Sequence, residues 1–303
     1  MENKLSSVNF VQWKNLGQVF NCTIKEFKKA GFYNYRSDAE TLFSYLLGMQ
    51  RSEIYLNRNK TLSMNEIIKI NEMVSKRLRH FPVQYITKQQ SFMGLDFETE
   101  NKVLIPRPET EILVENAIKL LELKKITQPL KIIDMGTGSG AIAVSIAHHF
   151  NYIDVYATDI SKKAIKLAQK NAIKHLCNDK ITFLQGNLFG VLKSCLNPES
   201  IDAIISNPPY IPKNEISQLD KEIKEYEPHL ALDGGMDGLK FYRKIIKESF
   251  IYLKKDGFLV MEMGMGQGKK IKAIFAKYVS HYRDIQIIPD YSKIERVIIA
   301  HKR

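Results

Sequence analysis

The chain has 303 residues, 44% of them hydrophobic and 26% charged, with a formal net charge of +12. That length allows one large or two ordinary domains, and the hydrophobic content is that of a globular protein rather than a disordered one. No apolar run reaches membrane-spanning length. The start, Met1-Glu2-Asn3-Lys4, has an early acid and lacks the basic-then-apolar layout of an export signal, so a cytoplasmic protein with no membrane association is expected.

Cys22, Cys177 and Cys195 are scattered and show no metal spacing or disulfide pattern, which suits a reducing compartment. The seven histidines form no H-x-x-x-H pair, and no metal is expected; His148-His149 sit at a helix end, where cations are favoured. The positive charge suits an acidic partner. The chain is also rich in Lys, Ile and Asn, and runs such as Lys124-Lys125, Lys254-Lys255 and Lys269-Lys270 look like solvated faces, so charge carries little weight for the substrate.

Residues 1–88 predict helices. Phe27, Ala30, Leu42, Tyr45, Leu46 and Leu47 recur at helical spacing, as do Ile67, Ile70, Met73, Val74 and Leu78, with Gly31 and Gly48 as punctuation. This stretch has no acid–base cluster or glycine-rich loop and is assigned to substrate docking. Residues 89–104 predict a β-hairpin linker, with aromatics around the turn in Gln90-Ser91-Phe92-Met93-Gly94-Leu95-Asp96-Phe97. The segment Leu104-Ile105-Pro106-Arg107-Pro108-Glu109-Thr110-Glu111 then leads into a helix over about 109–124, within a domain of residues 105–303.

From residue 130 strands alternate with helices. Leu130 to Met135 reads as a buried strand, followed by Gly136-Thr137-Gly138-Ser139-Gly140 and a small-residue helix from Ala141. Glycines at this turn let the backbone approach a ligand. The spacing is G-x-G-x-G rather than the dinucleotide G-x-G-x-x-G, with Ala at 141, and matches the nucleoside loop of S-adenosylmethionine methyltransferases. The next strand, Ile153 to Thr158, ends at Asp159, where a carboxylate can accept both ribose hydroxyls. Asp159 can also serve the N-terminus of the helix after Ser161.

Ile201 to Ser206 is another buried strand, and Asn207-Pro208-Pro209-Tyr210 follows. The prolines contribute no N–H, so this strand end is rich in carbonyl acceptors and poor in donors. Asn207 adds a side-chain carbonyl and Tyr210 an aromatic face, which suits a planar –NH2 group. Further strands are expected at Ile181–Leu184, Phe258–Glu262, Ile285–Ile288 and Val297–Ala300. The alternation predicts an α/β fold with a doubly wound, mainly parallel sheet, whose ligands bind beyond the carboxyl ends of the strands. Gly136, Asp159, Asn187 and Asn207 all fall there, so one crevice is expected to collect them. Residues 211–238 form a long polar segment beside that crevice and are a candidate substrate lid.

The blocks LIPRPETE (Leu104–Glu111), DMGTGSG (Asp134–Gly140) and SNPPYI (Ser206–Ile211) resemble the PrmC/HemK family, the protein-glutamine methyltransferases that modify peptide chain release factors. Asp38-Ala39-Glu40, Pro82 to Thr87, Glu227-Pro228, Gly238-Leu239 and Glu262-Met263-Gly264 extend the resemblance over nearly the whole chain. It implies an N-terminal helical domain, a hairpin linker and a class I S-adenosylmethionine-dependent methyltransferase domain with a Rossmann-like sheet. By resemblance, Gly136, Thr137, Gly138, Ser139 and Gly140 contact the methionine end of the cofactor, Asp159 its ribose, and Asn187 with Leu188 its adenine. Asn207, Pro208, Pro209 and Tyr210 hold the glutamine of a Gly-Gly-Gln loop, with Asn207 also near the methyl donor. Two positions depart from the family pattern: Asn187 is often Asp, and Lys88 stands where Gly usually follows the YIT segment.

An amide nitrogen is a poor nucleophile, and a sulfonium is a strong methyl donor, so positioning is the main task. Acceptance of one amide hydrogen each by Asn207 and the Pro208 carbonyl aims the nitrogen, and such positioning supplies ~7–11 kcal/mol. The methylated nitrogen is acidic enough to lose its proton to water, so the motif needs no base. The product is S-adenosylhomocysteine. An adenine-N6 nucleic-acid methyltransferase shares NPPY and suits the charge, but the chain shows no nucleic-acid motif, so nucleic acid is not required. A non-catalytic cofactor-binding scaffold is disfavoured by intact Asn207 and Tyr210.

Overall fold

The computed structural model describes residue 10, residues 14–124 and residues 128–303. The start Met1-Glu2-Asn3-Lys4 and Lys125, considered above, lie outside the described residues. The chain divides into two compact units, one of residues up to Gln89 together with Lys221–Tyr226, the other of Gln90–Asp220 and Glu227–Arg303.

Among its described residues the first unit holds five consecutive helices: α1 (Leu16–Lys29), α2 (Tyr35–Leu47), α3 (Arg51–Leu56), α4 (Met64–Leu78) and α5 (Val83–Thr87). In α1 the buried residues Leu16, Val19, Phe20, Thr23 and Phe27 fall on one stripe at helical spacing. Asn15 opens that helix by accepting the Gln18 amide at 2.9 Å. A reciprocal Ser63–Glu66 capping box opens α4, which buries Ile67, Ile70 and Val74. Ala30 and Tyr45, expected in the apolar pattern, are exposed instead. Ala30 is the residue that ends α1, and the buried stripe of α2 runs through Ala39, Leu42 and Phe43. α5 ends on Lys88 in the left-handed region at φ 57°, its N–H donating to the Gln84 carbonyl. That is the conformation glycine adopts without steric cost, so a lysine backbone here does what the expected Gly would do more easily.

The unit is completed by Lys221–Tyr226, the ninth helix in chain order (α9). Arg77 of α4 is almost fully buried and donates to Asp38 (2.8 Å) and to Glu222 (2.5 Å) while lying 4.1 Å over the Phe32 ring. The Tyr226 hydroxyl donates to the Arg79 carbonyl at 2.7 Å, and its ring meets Phe81 edge-on.

A hairpin follows, β1 (Gln89–Phe92) and β2 (Leu95–Glu98), which from Gln90 on belongs to the second unit. Met93 and Gly94 both have positive φ (50° and 72°), as a tight two-residue hairpin turn requires. Phe92 and Phe97 are buried in the same apolar cluster as Leu113, Ala117 and Leu121, so the hairpin packs into this unit.

The remaining elements are α6 (Pro108–Glu122), β3 (Leu130–Met135), α7 (Ala141–His149), β4 (Ile153–Asp159), α8 (Lys162–Lys174), β5 (Ile181–Gln185), β6 (Ile201–Ser206), α10 (His229–Leu232), α11 (Lys240–Tyr252), β7 (Leu253–Glu262), α12 (Gly268–Ala276), β8 (Tyr282–Pro289) and β9 (Glu295–Lys302). The seven-stranded sheet has the order β5-β4-β3-β6-β7-β9-β8. Pairing is parallel from β5 to β7, and β9 runs antiparallel to both β7 and β8. Alternate residues serve opposite faces. Ile132, Ile205 and Val260 pack with α6 and α7, whereas Ile133, Ile204 and Leu259 pack with Tyr242, Ile245 and Ile246 of α11 and Phe275 of α12. A sheet covered on both faces needs strands buried along their length, and β6 is buried at every position and β3 at all but Lys131. The strand order reverses between β3 and β6, the switch point where such sheets open a crevice.

Among the described residues no helix is long and apolar enough to cross a membrane, and no group of metal-ligating side chains is present. The segment 211–238 is more structured than a loop. Its base is closed by a parallel bridge between Ile211 and Asp233, and it contains a 3-10 turn (Ile216–Gln218), α9 and α10.

Candidate active site

A cavity of about 400 Å³ opens at the carboxyl ends of β3, β4, β5 and β6. Gly136, Gly138, Asp159, Asn187 and Asn207, taken from four different strand ends, all line it, with Leu188, Pro208 and Pro209. Its apolar wall includes Leu104, Ile160, Leu230, Phe241 and Ile245.

The glycine turn is fixed from beneath. The Thr158 carbonyl accepts both the Gly136 and the Thr137 amides (2.8 and 2.9 Å). Gly136 and Gly138 have φ of 80° and 58°, and a Cβ on either would meet no atom within 4 Å. The open space beside them is the cavity itself, where a side chain would intrude on a ligand. Asp134 is fully buried under the turn. Its Oδ2 accepts from Thr137 Oγ1 at 2.6 Å and from the Ala143 amide at 3.1 Å, and burial pushes its pKa up to about 7.

Gly136 and Gly138 line the cavity, while the side chains and carbonyls of the rest of the loop are engaged elsewhere. Thr137 is turned to Asp134, the Ser139 carbonyl accepts from Asn171 Nδ2 at 2.9 Å, and Gly140 is the residue preceding α7. These three shape the turn from behind.

Asp159 lines the cavity and accepts from the Gly138 amide (2.9 Å, Oδ2) and the Ser161 amide (2.8 Å, Oδ1). Each carboxylate oxygen keeps further acceptor capacity for a hydroxyl. Burial raises its pKa, opposed by those two amide hydrogen bonds. Ser161, not Asp159, is the cap of α8, accepting from the Ala164 amide. Asn187 is exposed on the cavity wall, and Leu188 beside it is half-buried.

Past β6, Asn207 Nδ2 donates to Thr110 Oγ1 at 3.0 Å. Tyr210 is not on the cavity wall. Its hydroxyl faces Glu262 Oε1 at 3.4 Å, and its carbonyl accepts from Gln267 Nε2 at 2.9 Å. The Tyr210 backbone is enclosed, since a Cβ on Gly238 would stand 2.4 Å from its carbonyl oxygen. Burial holds the Tyr210 phenol far above its usual range, so it is neutral and a donor. The Tyr210 hydroxyl is thus turned to Glu262, and Phe241 supplies an aromatic ring on the cavity wall.

Sequence reasoning passed over three polar residues. Thr110 and Glu262 lay inside quoted blocks without a role, and their side chains meet at 2.6 Å. Asn171 carried no motif signal; its amide accepts the Glu98 amide and donates to the Glu98 and Ser139 carbonyls, tying β2 to the glycine turn. Chemically, the arrangement offers a crevice with backbone and carboxylate groups for a nucleoside at one part and an acceptor-rich asparagine–proline corner for a planar –NH2 group at another.

Residues 18–87 match the family model of the PrmC N-terminal domain, and residues 126–282 that of a methyltransferase domain. A release factor glutamine methyltransferase of Geobacter sulfurreducens is 38% identical, over 88% of this chain and 90% of that protein. That of Moorella thermoacetica is 35% identical over 95% and 99%. Among solved structures, the human methyltransferase 10 domain containing protein has a TM-score of 0.51 at 18% identity, covering 68% of this chain and 88% of that one, a likeness of fold alone. With identities of this size over nearly its full length, the chain belongs to the release factor glutamine methyltransferase family.

Proposed function

We propose that the protein transfers a methyl group from S-adenosylmethionine to the side-chain amide nitrogen of the glutamine in the Gly-Gly-Gln loop of peptide chain release factors, leaving S-adenosylhomocysteine. The observation that carries this reading is that Asn207, Pro208 and Pro209 share one cavity with Gly136, Gly138, Asp159 and Asn187.

The residues present fit the cofactor. The cavity lies within the ~300–1,000 Å³ range of small-molecule sites. The glycine turn leaves open space where side chains would stand, Asp159 provides carboxylate acceptors for ribose hydroxyls, and Leu188, Ile160 and Phe241 provide apolar surface for a base with Asn187 at its edge. When bound, S-adenosylmethionine supplies a methyl group already activated by its sulfonium sulfur.

The protein's own part is orientation. Asn207 commits its Nδ2 to Thr110, which leaves Oδ1 as the acceptor for one substrate amide hydrogen. The Pro208 carbonyl is assigned the second hydrogen. Held by both, the –NH2 group cannot rotate out of line, and near-attack positioning of this kind lowers a barrier by ~7–11 kcal/mol. No side-chain base is assigned, because the methylated amide nitrogen can release its proton to water. The helical unit of residues 1–89 with α9 is assigned to docking the release factor, since every residue of the cavity lies in the other unit. The cytoplasm is the proposed location, in keeping with three free cysteines.

Incubation of the full chain with methyl-labelled S-adenosylmethionine and a release factor tests this reading. Label is expected on the release factor; a release factor left unlabelled by folded, cofactor-binding enzyme contradicts it.

A further inference from the structure

We infer that Thr110 and Glu262 are positioning residues that set the polarity of Asn207, holding its amide in the one orientation that leaves Oδ1 as acceptor for the substrate. This inference rests on the methyl-transfer reading above and assigns a role to two residues outside the cavity wall.

Glu262 ends β7 and Thr110 lies in the first turn of α6; both are buried, with 1% and 5% of their surface exposed. Thr110 Oγ1 stands 2.6 Å from Glu262 Oε2. An ionised carboxylate only accepts, so the single Thr110 proton goes to Glu262. Toward Asn207, Thr110 then presents lone pairs alone. Only Nδ2 can meet them, as the 3.0 Å contact records. In the flipped orientation Asn207 would set a carbonyl against the Thr110 oxygen and offer –NH2 to the substrate's –NH2, donor against donor. The Thr110–Glu262 pair therefore selects one of two nearly isosteric amide states.

The setting of Glu262 makes that selection depend on pH. Burial pushes its carboxyl up to about 7, with Glu109 pushing the same way, while the hydrogen bonds from Thr110 and Tyr210 and the charge of Arg296 oppose. The Tyr210 hydroxyl faces its other oxygen at 3.4 Å, and the Tyr242 hydroxyl is spent on the Glu262 backbone carbonyl at 2.9 Å. Both phenols stay neutral because burial raises them. Once Glu262 is protonated it becomes a donor. Thr110 can then turn its own proton to Asn207, and the amide is released to flip. The working state is the ionised one, present above about pH 7 and lost below it.

The test measures kcat and KM on release factor, with cofactor affinity by calorimetry, for wild type, Thr110→Val, Thr110→Ser and Glu262→Gln. Thr110→Val, which keeps shape and deletes the relay, is expected to lower kcat on the order of 100-fold with cofactor Kd changed less than about threefold. Thr110→Ser, which keeps the hydroxyl, should recover most of that loss. Wild-type kcat should fall as pH drops below about 7, whereas Glu262→Gln, whose amide oxygen can still accept from Thr110 but cannot titrate, should lack that fall. Wild-type kcat in Thr110→Val, or an equal loss in Val and Ser, overturns the relay. So does an unchanged acid limb in Glu262→Gln, which decides the matter if Thr110→Val does not fold. A wild-type enzyme that labels no release factor overturns the methyl-transfer reading instead, so the two failures are told apart.

Discussion

Asn207 and Thr110 lie 97 positions apart in the chain, yet the Asn207 amide donates to the Thr110 hydroxyl at 3.0 Å. The strand end that carries the asparagine and the helix start that carries the threonine are thereby joined by a polar contact just behind the cavity wall.

Replacement of Asn207 follows from that contact. Asn207→Ala is expected to lower kcat by on the order of 100-fold or more, with cofactor affinity kept within a few-fold. Asn207→Asp should be no better. Thr110 has one proton, already given to Glu262, so a carboxylate at position 207 faces an oxygen with nothing to donate. Single-turnover methylation of a release factor, with cofactor binding measured in parallel, checks both; Asp activity well above Ala activity contradicts the polarity argument.

Asp159→Ala should weaken S-adenosylmethionine binding by about 1.5–3 kcal/mol, the worth of a hydrogen bond to a charged group. It also strips the Gly138 and Ser161 amides of their acceptor, so some loss of thermal stability should accompany it. Calorimetry checks the first effect. Unchanged affinity would remove Asp159 from the ligand's contacts.

Asp134 makes folding stability depend on pH. Its ordinary pKa is near 4 and burial raises it to about 7, so the native state holds a proton that the unfolded state releases across that interval. The stabilisation is fully present below about pH 4 and lost as pH rises through about 7. Urea unfolding is expected to show wild-type stability falling from about pH 5 to about pH 8, with a shallower fall in Asp134→Asn. Parallel slopes for the two proteins would show that Asp134 is not the source.

Arg77→Met should destabilise the helical unit by about 3–5 kcal/mol, because it leaves the largely buried Asp38 without its cation. It also breaks the tie to Glu222. Denaturant unfolding followed by a probe in residues 14–89 checks this; a change below about 1 kcal/mol would place the triad among the weak ion pairs of an exposed surface.

Gly136, Asp159, Asn187 and Asn207 were legible in the sequence because each stands at or just past the end of a strand, and strand ends of a parallel sheet converge. The Thr110–Glu262 pair was not, since 152 positions separate them and only the packing of α6 against β7 brings them together. Asn171 was illegible for the same reason, a polar residue on a helix whose three hydrogen bonds go to a distant strand end, Glu98, and to the glycine turn at Ser139. A glycine-rich run looks uniform along the chain, so the sequence did not show that Gly136 and Gly138 line the cavity while Thr137 turns to Asp134, the Ser139 carbonyl to Asn171 and Gly140 to the start of α7. Spacing placed helices in residues 14–88 but misjudged Ala30 and Tyr45, because it locates a helix more surely than it fixes which residues share the buried stripe.

Mass spectrometry of the methylated product locates the transferred methyl group. The full chain is incubated with S-adenosylmethionine, a release factor carrying its Gly-Gly-Gln loop, and a DNA and an RNA control in separate reactions. One added methyl group on the glutamine of that loop, absent with Asn207→Ala, is the predicted result. A methyl group on adenine in either nucleic acid, with none on the glutamine, would contradict the account and make the Asn-Pro-Pro-Tyr corner a site for the exocyclic amine of a base.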